Sequence, residues 1–163
     1  MRALPAGRIR PQPHPCAPVP RGQGHPALAA ASARLEAART PEAAALVRGE
    51  MRLVLAEWGV HDAAREDLSL IATELVTNAV QHGTAGRIRV CLDLRSTIFV
   101  VTVADQTPYM PLPRAVAAGE DSERGRGLFL VEALAEDWGH GPMEDPAACG
   151  TAVWARYLLA PLR

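Results

Sequence analysis

The residues of this chain best suited to chemistry are a carboxylate and an amide four positions apart in the segment ATELVTNAVQHG, Glu74 and Asn78. Residues i and i+4 of a helix lie on one face, one above the other, and Gln81 continues this polar stripe. The amide oxygen of asparagine suits Mg²⁺, a hard ion that prefers oxygen ligands and retains several waters. A glutamate can polarise a water or a hydroxyl. Because such pairs are also common on plain helix surfaces, a site needs further groups from elsewhere in the chain.

Two of these further groups stand at strand ends. Asp105 closes the segment TIFVVTVA, where its carboxylate could accept a hydrogen bond from an exocyclic amine such as that of adenine. Its structural alternative is an aspartate that initiates a turn. Gly150 and Thr151 lead into the segment GTAVWARYLL, and their structural alternative is simple strand initiation.

A third group is a glycine-flanked arginine that opens a predicted helix, Gly125-Arg126-Gly127. Glycine lets a backbone approach a phosphate closely, and a helix N-terminus offers unpaired N–H groups at the positive end of its dipole. Arg124, Arg126 and Arg114 can add direct charge pairing. Alone, this pattern also fits a turn that closes a loop.

Helical segments must position the first pair. Thr40 and Pro41 form a helix-start signal, and the apolar stripe that follows predicts a helix to about Trp58. Asp62 can cap the next helix, which carries Glu74 and Asn78 and stops at Gly83. Before Thr40, the segment ASARLEAAR also has high helical propensity.

Strand patterns follow these helices. The segment RIRVCLDL alternates apolar and polar residues, which predicts one buried face made by Ile88, Val90, Leu92 and Leu94. A turn at residues 95–96 leads into TIFVVTVA as an antiparallel partner. Residues 105–125 are predicted to form a loop of about 20 residues, a length that favours a lid or binding loop.

The end of the chain supplies one more helix and one more strand. GRGLFLVEALAEDWG is predicted to be a helix with Leu128, Val131, Leu134 and Trp138 facing the core. GTAVWARYLL is predicted to be the last strand. Together the elements predict an α+β fold, a two-layer sandwich of a mixed, mainly antiparallel sheet packed on helices.

Composition indicates one globular domain. The chain has 163 residues, 48% of them hydrophobic, and a formal net charge of −1. Seven of the fourteen prolines and no acidic residue fall in its first 26 residues, so we predict a disordered Pro/Arg-rich arm over residues 1–30 and a domain over 31–163.

No apolar run approaches the ~20 residues of a membrane span, and no secretory signal is recognisable. Three widely spaced cysteines fit neither a disulfide framework nor a zinc site, which favours a cytoplasmic protein.

The chain contains no lysine, since all seventeen basic residues are arginine. A Walker A loop and the protein-kinase fold each need a lysine on the phosphates. Both of these plans for handling a nucleotide are therefore excluded, as is Schiff-base chemistry.

The order of these motifs resembles the GHKL superfamily of ATP-binding domains, which histidine kinases, type II topoisomerases and a class of chaperones share. More narrowly, it is similar to the anti-sigma-factor serine/threonine kinases and the related actinobacterial ATP-binding regulators. ELVTNAVQHG matches the N-box, VTVADQTP the aspartate box, GRGLFLVEALAEDWG the second glycine box and CGTAVWARY the final Gly-Thr strand. The resemblance covers residues 32–160. It implies a histidine-kinase-like ATPase fold.

The resemblance also implies a role for each matched position. Asn78 would bind the Mg²⁺ that bridges the phosphates of ATP, and Glu74 would be the general base for the attacking hydroxyl. Asp105 would bind the adenine amine with support from Thr151. The phosphates would be covered by the glycine-box residues, Arg124, Gly125, Arg126 and Gly127.

One box departs from the superfamily pattern, since D-x-G-x-G is replaced by Asp105-Gln106-Thr107-Pro108. This leaves two hypotheses. In the first, the chain phosphorylates a serine or threonine of an anti-sigma-factor antagonist and sequesters a sigma factor. In the second, it is a non-catalytic protein-binding switch that depends on ATP. Neither involves nucleic acid or a membrane directly, and the related kinases suggest a homodimer.

Overall fold

The computed structural model describes residues 30–84, 86–108, 126–143 and 150–159. Apart from Ala30, the predicted disordered arm lies outside this part of the chain, as does most of the loop predicted over residues 105–125. The elements in chain order are β1 (Ala31–Ala38), α1 (Ala43–Glu57), α2 (Asp62–His82), β2 (Arg87–Arg95), β3 (Ile98–Asp105), α3 (Arg126–Leu134), β4 (Asp137–Pro142) and β5 (Thr151–Leu158).

The five strands form one sheet in the order β1-β2-β3-β5-β4, and every ladder in the described part of the chain is antiparallel. Helix α1 contacts β1, α2 contacts β2, β3 and β5, and α3 contacts β4. The predicted α+β fold is therefore confirmed. The predicted alternation in β2 is also confirmed, because the residues Ile88, Val90, Leu92 and Leu94 are at most 1% exposed.

The segment before Thr40 is a strand, although its sequence has high helical propensity. Residues 31–38 are an edge strand in register with β2, for example Leu35 opposite Val90. Ala33, Leu35 and Ala37 pack on the core side while Arg34 and Glu36 are exposed. Pairing with β2 and burial of this alternating face outweigh the small helical preference of alanine.

Helix α1 begins two residues later than the predicted cap implies. Its N-cap is Glu42, which makes no capping bond with its side chain. Thr40 instead hydrogen-bonds the Glu42 carboxylate, and this bond lowers the pKa of Glu42. The helix ends as predicted, with Trp58 at the C-cap and Gly59 at φ 71°.

Helix α2 begins with a cap other than the one predicted. His61 is the N-cap, and its Nδ1 accepts a hydrogen bond from the Ala64 N–H at 3.3 Å. Asp62 lies in the first turn and pairs with Arg65, where its charge also complements the positive end of the helix. The helix ends at His82 and Gly83, as predicted.

Helix α3 is shorter than predicted, because it ends at Leu134. The Glu136 N–H donates to the Arg156 carbonyl at 2.8 Å, which starts the pairing of β4 with β5. Trp138 therefore packs against the core from a strand and not from a helix. The free edge of β5 supplies backbone partners that a longer helix would leave unused.

A hydrogen bond ties α2 to β5. The Tyr157 hydroxyl donates to Asp67 Oδ2 at 2.7 Å. Burial, together with the Asp67 carboxylate, raises the pKa of Tyr157 to about 12. No helix in the described part of the chain combines the length and apolar character needed to cross a membrane.

Removal of this hydroxyl gives a testable prediction. Tyr157→Phe is expected to lower the free energy of unfolding by about 1 kcal/mol at neutral pH, the typical net value of one hydrogen bond. The unfolded phenol ionises near pH 10 and the folded one near 12. The advantage of the wild type is therefore full below pH 10 and is lost as the pH rises to 12. Denaturant unfolding at several pH values measures this, and an advantage that persists unchanged through pH 12 would contradict it.

Candidate functional site

A cavity of about 400 Å³ lies between the C-terminal half of α2 and the inner face of the sheet. This volume is within the usual range for small-molecule sites. Its wall combines apolar side chains with a few polar groups: Asn78, Ala79, His82, Gly83, Val103, Asp105, Thr107, Pro108, Leu128, Trp138, His140, Thr151 and Val153.

Helix α2 contributes one side of the cavity through its last two turns. Asn78, Ala79, His82 and Gly83 are spaced so that they share the face turned toward the sheet. Glu74 is one turn earlier on the same helix and does not line the cavity. The structure thus places the predicted metal ligand in the cavity wall and the predicted base beside it.

Asp105 stands at the opposite side, at the end of β3. It is only 8% exposed, and its Oδ1 accepts a hydrogen bond from the Thr107 N–H at 2.7 Å. This hydrogen bond forms the turn that was given as the structural alternative for Asp105. The carboxylate also lines the cavity, with Oδ2 lying toward Gly83, so the same residue makes a turn and presents an acceptor.

Thr151 is the partner of Asp105 across the β3–β5 ladder. Its hydroxyl donates a hydrogen bond to the Thr107 carbonyl at 3.0 Å. Gly150, just before it, is buried against the Asp105 carbonyl. An added Cβ there would collide with that backbone and would approach Met143 Sδ to 2.6 Å, so the close approach requires glycine.

The glycine box lies at the start of α3. Arg126 is the first residue of the helix and Gly127 is in its first turn, whereas Arg124, Gly125 and Arg114 lie outside the described residues. The Glu74 carboxylate rests against Gly127, because a Cβ added at this glycine would collide with Oε2 of Glu74. The structure therefore brings Glu74 to the helix start that was predicted to bind phosphate.

Arg39 brings a positive charge to the end of α2. Its Nη1 lies 3.4 Å from the Ala79 carbonyl and 3.5 Å from the Val80 carbonyl. A cation is favoured at this negative end of the helix dipole. A Cβ added at Gly83 would meet Arg39 Nη1 at 2.5 Å and Asp105 Oδ2 at 3.0 Å, which places the guanidinium near the carboxylate.

Several of these residues were not identified from the sequence. Trp138 and His140 are two positions apart and therefore lie on one face of β4. This spacing would have been recognised if the segment had been predicted to be a strand. His82 was expected only to complement the helix dipole, yet it also lines the cavity. For Arg39, and for the contacts of Thr107 with Thr84 and Thr151, the sequence offers no signal, since these partners are distant along the chain.

The arrangement fits a planar heteroaromatic group with an amine. Val103, Val153, Leu128 and Trp138 provide apolar walls, and Asp105 provides a nearly buried acceptor. The described residues contain no group of three or more His, Cys, Asp or Glu side chains that could hold a metal ion. A Mg²⁺ ion needs no such cluster beside a nucleotide, because it commonly combines one or two protein oxygens with phosphates and waters. The amide oxygen of Asn78 is suited to that role.

Comparisons with known proteins agree with the fold described above. The family model described as a histidine kinase-like ATPase domain matches residues 37–156. A crystal structure of the RsbU and RsbW domains of Rv1364c from Mycobacterium tuberculosis is similar, with a TM-score of 0.60 and 25% sequence identity. The match covers 82% of this chain and 34% of the solved one, so this chain spans about a third of its length. No curated protein matches the chain.

Proposed function

This chain belongs to the histidine kinase-like ATPase domain family, and on that premise we propose that it is an ATP-binding regulator of the anti-sigma-factor type. In this proposal it phosphorylates a serine or threonine on an anti-sigma-factor antagonist, sequesters a sigma factor and acts in the cytoplasm, as a homodimer. The observation that carries the proposal is the common placement of Asn78 and Asp105 in one cavity, with Glu74 one turn from Asn78. The domain responsible extends over residues 31–163.

Binding of ATP follows from the chemistry of the wall. Asp105 accepts the hydrogen bond of the adenine amine, and the apolar side chains of the cavity cover the ring. Thr151 supports Asp105 indirectly, because its hydroxyl holds the Thr107 carbonyl. Asn78 would hold Mg²⁺, which would supply positive charge to neutralise the phosphates. The resemblance assigns the phosphate contacts to Arg124, Gly125, Arg126 and Gly127.

Transfer of the γ-phosphoryl group rests on Glu74. Its carboxylate accepts the proton of the substrate hydroxyl as the hydroxyl oxygen bonds to the γ-phosphorus. The bond from that phosphorus to the β,γ-bridging oxygen breaks, ADP leaves, and the proton passes from Glu74 to solvent. Because Glu74 rests against Gly127 at the start of α3, the base lies beside the helix end to which the phosphates are assigned.

The alternative is a non-catalytic switch in which ATP only maintains a partner-binding state. One observation favours it, namely that Glu74 does not line the cavity. Under this alternative the same residues bind the nucleotide, and the partner receives no phosphoryl group.

A single-turnover assay separates the two functions. The purified chain is mixed with ATP labelled at the γ-phosphate, Mg²⁺ and an anti-sigma-factor antagonist that co-purifies with it. We expect label on a serine or threonine of the antagonist, and none when EDTA removes the metal. Binding of ATP without labelled antagonist would support the switch. The absence of any thermal shift with Mg·ATP would show that the cavity is not a nucleotide site.

A further inference from the structure

Two short segments hold Asp105 in place by packing against each other. One follows helix α2 and contains Gly83, Thr84 and Gly86; the other follows strand β3 and contains Gln106 and Thr107. They are joined by a hydrogen bond from the Thr84 N–H to the Thr107 hydroxyl at 3.1 Å. The Gln106 side chain lies against Gly86, where an added Cβ would collide with its Oε1. The end of the helix and the end of the strand are thus interlocked.

Thr107 is the centre of this contact, because it uses three of its polar groups. Its N–H donates to Asp105 Oδ1 at 2.7 Å, its hydroxyl accepts from the Thr84 N–H at 3.1 Å, and its carbonyl accepts from the Thr151 hydroxyl at 3.0 Å. Thr107 therefore holds the Asp105 carboxylate and ties it to the segment after α2 on one side and to β5 on the other.

The glycines that make this packing possible are on the opposite segment. Gly86 has φ +86°, a conformation that favours glycine. Gly83 has an ordinary φ of −71° but no room for a side chain, since a Cβ there would meet the Ala79 carbonyl at 2.6 Å. In the D-x-G-x-G pattern the first glycine would stand at position 107. Here a threonine stands there, and glycine provides the space across the contact.

We propose that Thr107 is a positioning residue that fixes the Asp105 carboxylate for selection of the nucleotide base. This inference rests on the proposed function, in which Asp105 accepts the hydrogen bond of adenine. Thr107 acts through Asp105, so it affects recognition of the base and not the transfer step. A fixed carboxylate discriminates between bases better than a mobile one, because a misplaced acceptor can reorient to suit the wrong partner.

The test uses four variants of the full chain. Thr107→Val keeps the shape and the two backbone bonds and removes only the hydroxyl acceptor. Thr107→Ser keeps that hydroxyl. Thr107→Gly restores the glycine of the superfamily pattern and removes the side chain. The matched control is Thr102→Val, the same change within β3, on the face of the sheet opposite to the cavity.

Calorimetric titration with ADP and with GDP gives the result, and a thermal melt of each variant confirms folding. We expect Thr107→Val to weaken ADP binding about 3- to 10-fold, the effect of one hydrogen bond, and to lower the ADP-to-GDP preference by a similar factor. Thr107→Gly is expected to lose more, because it adds backbone freedom. Thr107→Ser and Thr102→Val should stay within about twofold of the wild type.

Two outcomes would overturn the inference. One is a folded Thr107→Val variant that binds ADP as the wild type does; the other is an equal loss for ADP and GDP, which indicates general loosening of the site. If the wild type itself binds neither nucleotide, then the proposed nucleotide site is wrong, and this outcome is distinct from the first two.

Discussion

Replacing Glu74 with glutamine is expected to lower the single-turnover rate of phosphoryl transfer about 10²- to 10⁴-fold, the usual contribution of a general base. Glutamine is nearly isosteric and can still lie against Gly127, but its amide cannot take the proton of the hydroxyl. Glu74 does not line the cavity. The dissociation constant of Mg·ATP should therefore change by less than about threefold, since the lost interaction is made only in the transition state.

The assay for this variant is rapid-quench measurement of labelled antagonist at saturating ATP. Glu66→Gln is the matched control, because Glu66 is an exposed glutamate on the same helix, and it should transfer at the wild-type rate. A Glu74→Gln variant that retained a rate within tenfold of the wild type would show that another group accepts the proton.

Asp105→Asn is expected to weaken adenine nucleotide binding about 10- to 100-fold. A hydrogen bond to a charged group contributes about 1.5–3 kcal/mol, which corresponds to that range. The carbonyl oxygen of the substituted side chain can still accept the Thr107 N–H, so the turn is preserved. Its amide nitrogen then takes the place of Oδ2 and presents a donor to the adenine amine, which is itself a donor.

Calorimetric titration with ADP measures the affinity, and a thermal melt without nucleotide checks the fold. Asp62→Asn is the control, since the Asp62 side chain is 85% exposed in the first turn of α2, far along the helix from Asn78. Binding by Asp105→Asn within threefold of the wild type would mean that Asp105 is only a turn residue.

The elements that the sequence predicted well are those whose periodicity is strong and local. Strand β2 alternates without interruption, and α2 has a long apolar stripe that ends at Gly83. Strand β1 was not predicted, because its alanines favour helices by a few tenths of a kcal/mol, whereas the gain from pairing with β2 depends on residues about 55 positions away. Strand β4 was missed because its six residues include two glycines and a proline, and only the edge of β5 makes them a strand.

The candidate site shows the same difference between what local motifs predict and what contacts between distant segments decide. The order of motifs predicted that Asn78, Asp105 and Thr151 would converge, and they line one cavity. It could not predict that the Thr151 hydroxyl donates to the Thr107 carbonyl, or that Arg39, which follows β1, approaches the end of α2. Those contacts depend on how separate segments meet in three dimensions, and no local pattern encodes that meeting.

One helix carries the proposed base, the proposed metal ligand and part of the cavity wall. Glu74, Asn78 and His82 follow each other at intervals of one turn, so their mutual distances, about 6 Å per step along the axis, are set by backbone geometry. Helix α2 thus fixes the spacing of these three side chains along its axis. A substitution at any one of these three positions leaves the spacing of the other two unchanged, because the helix backbone sets it.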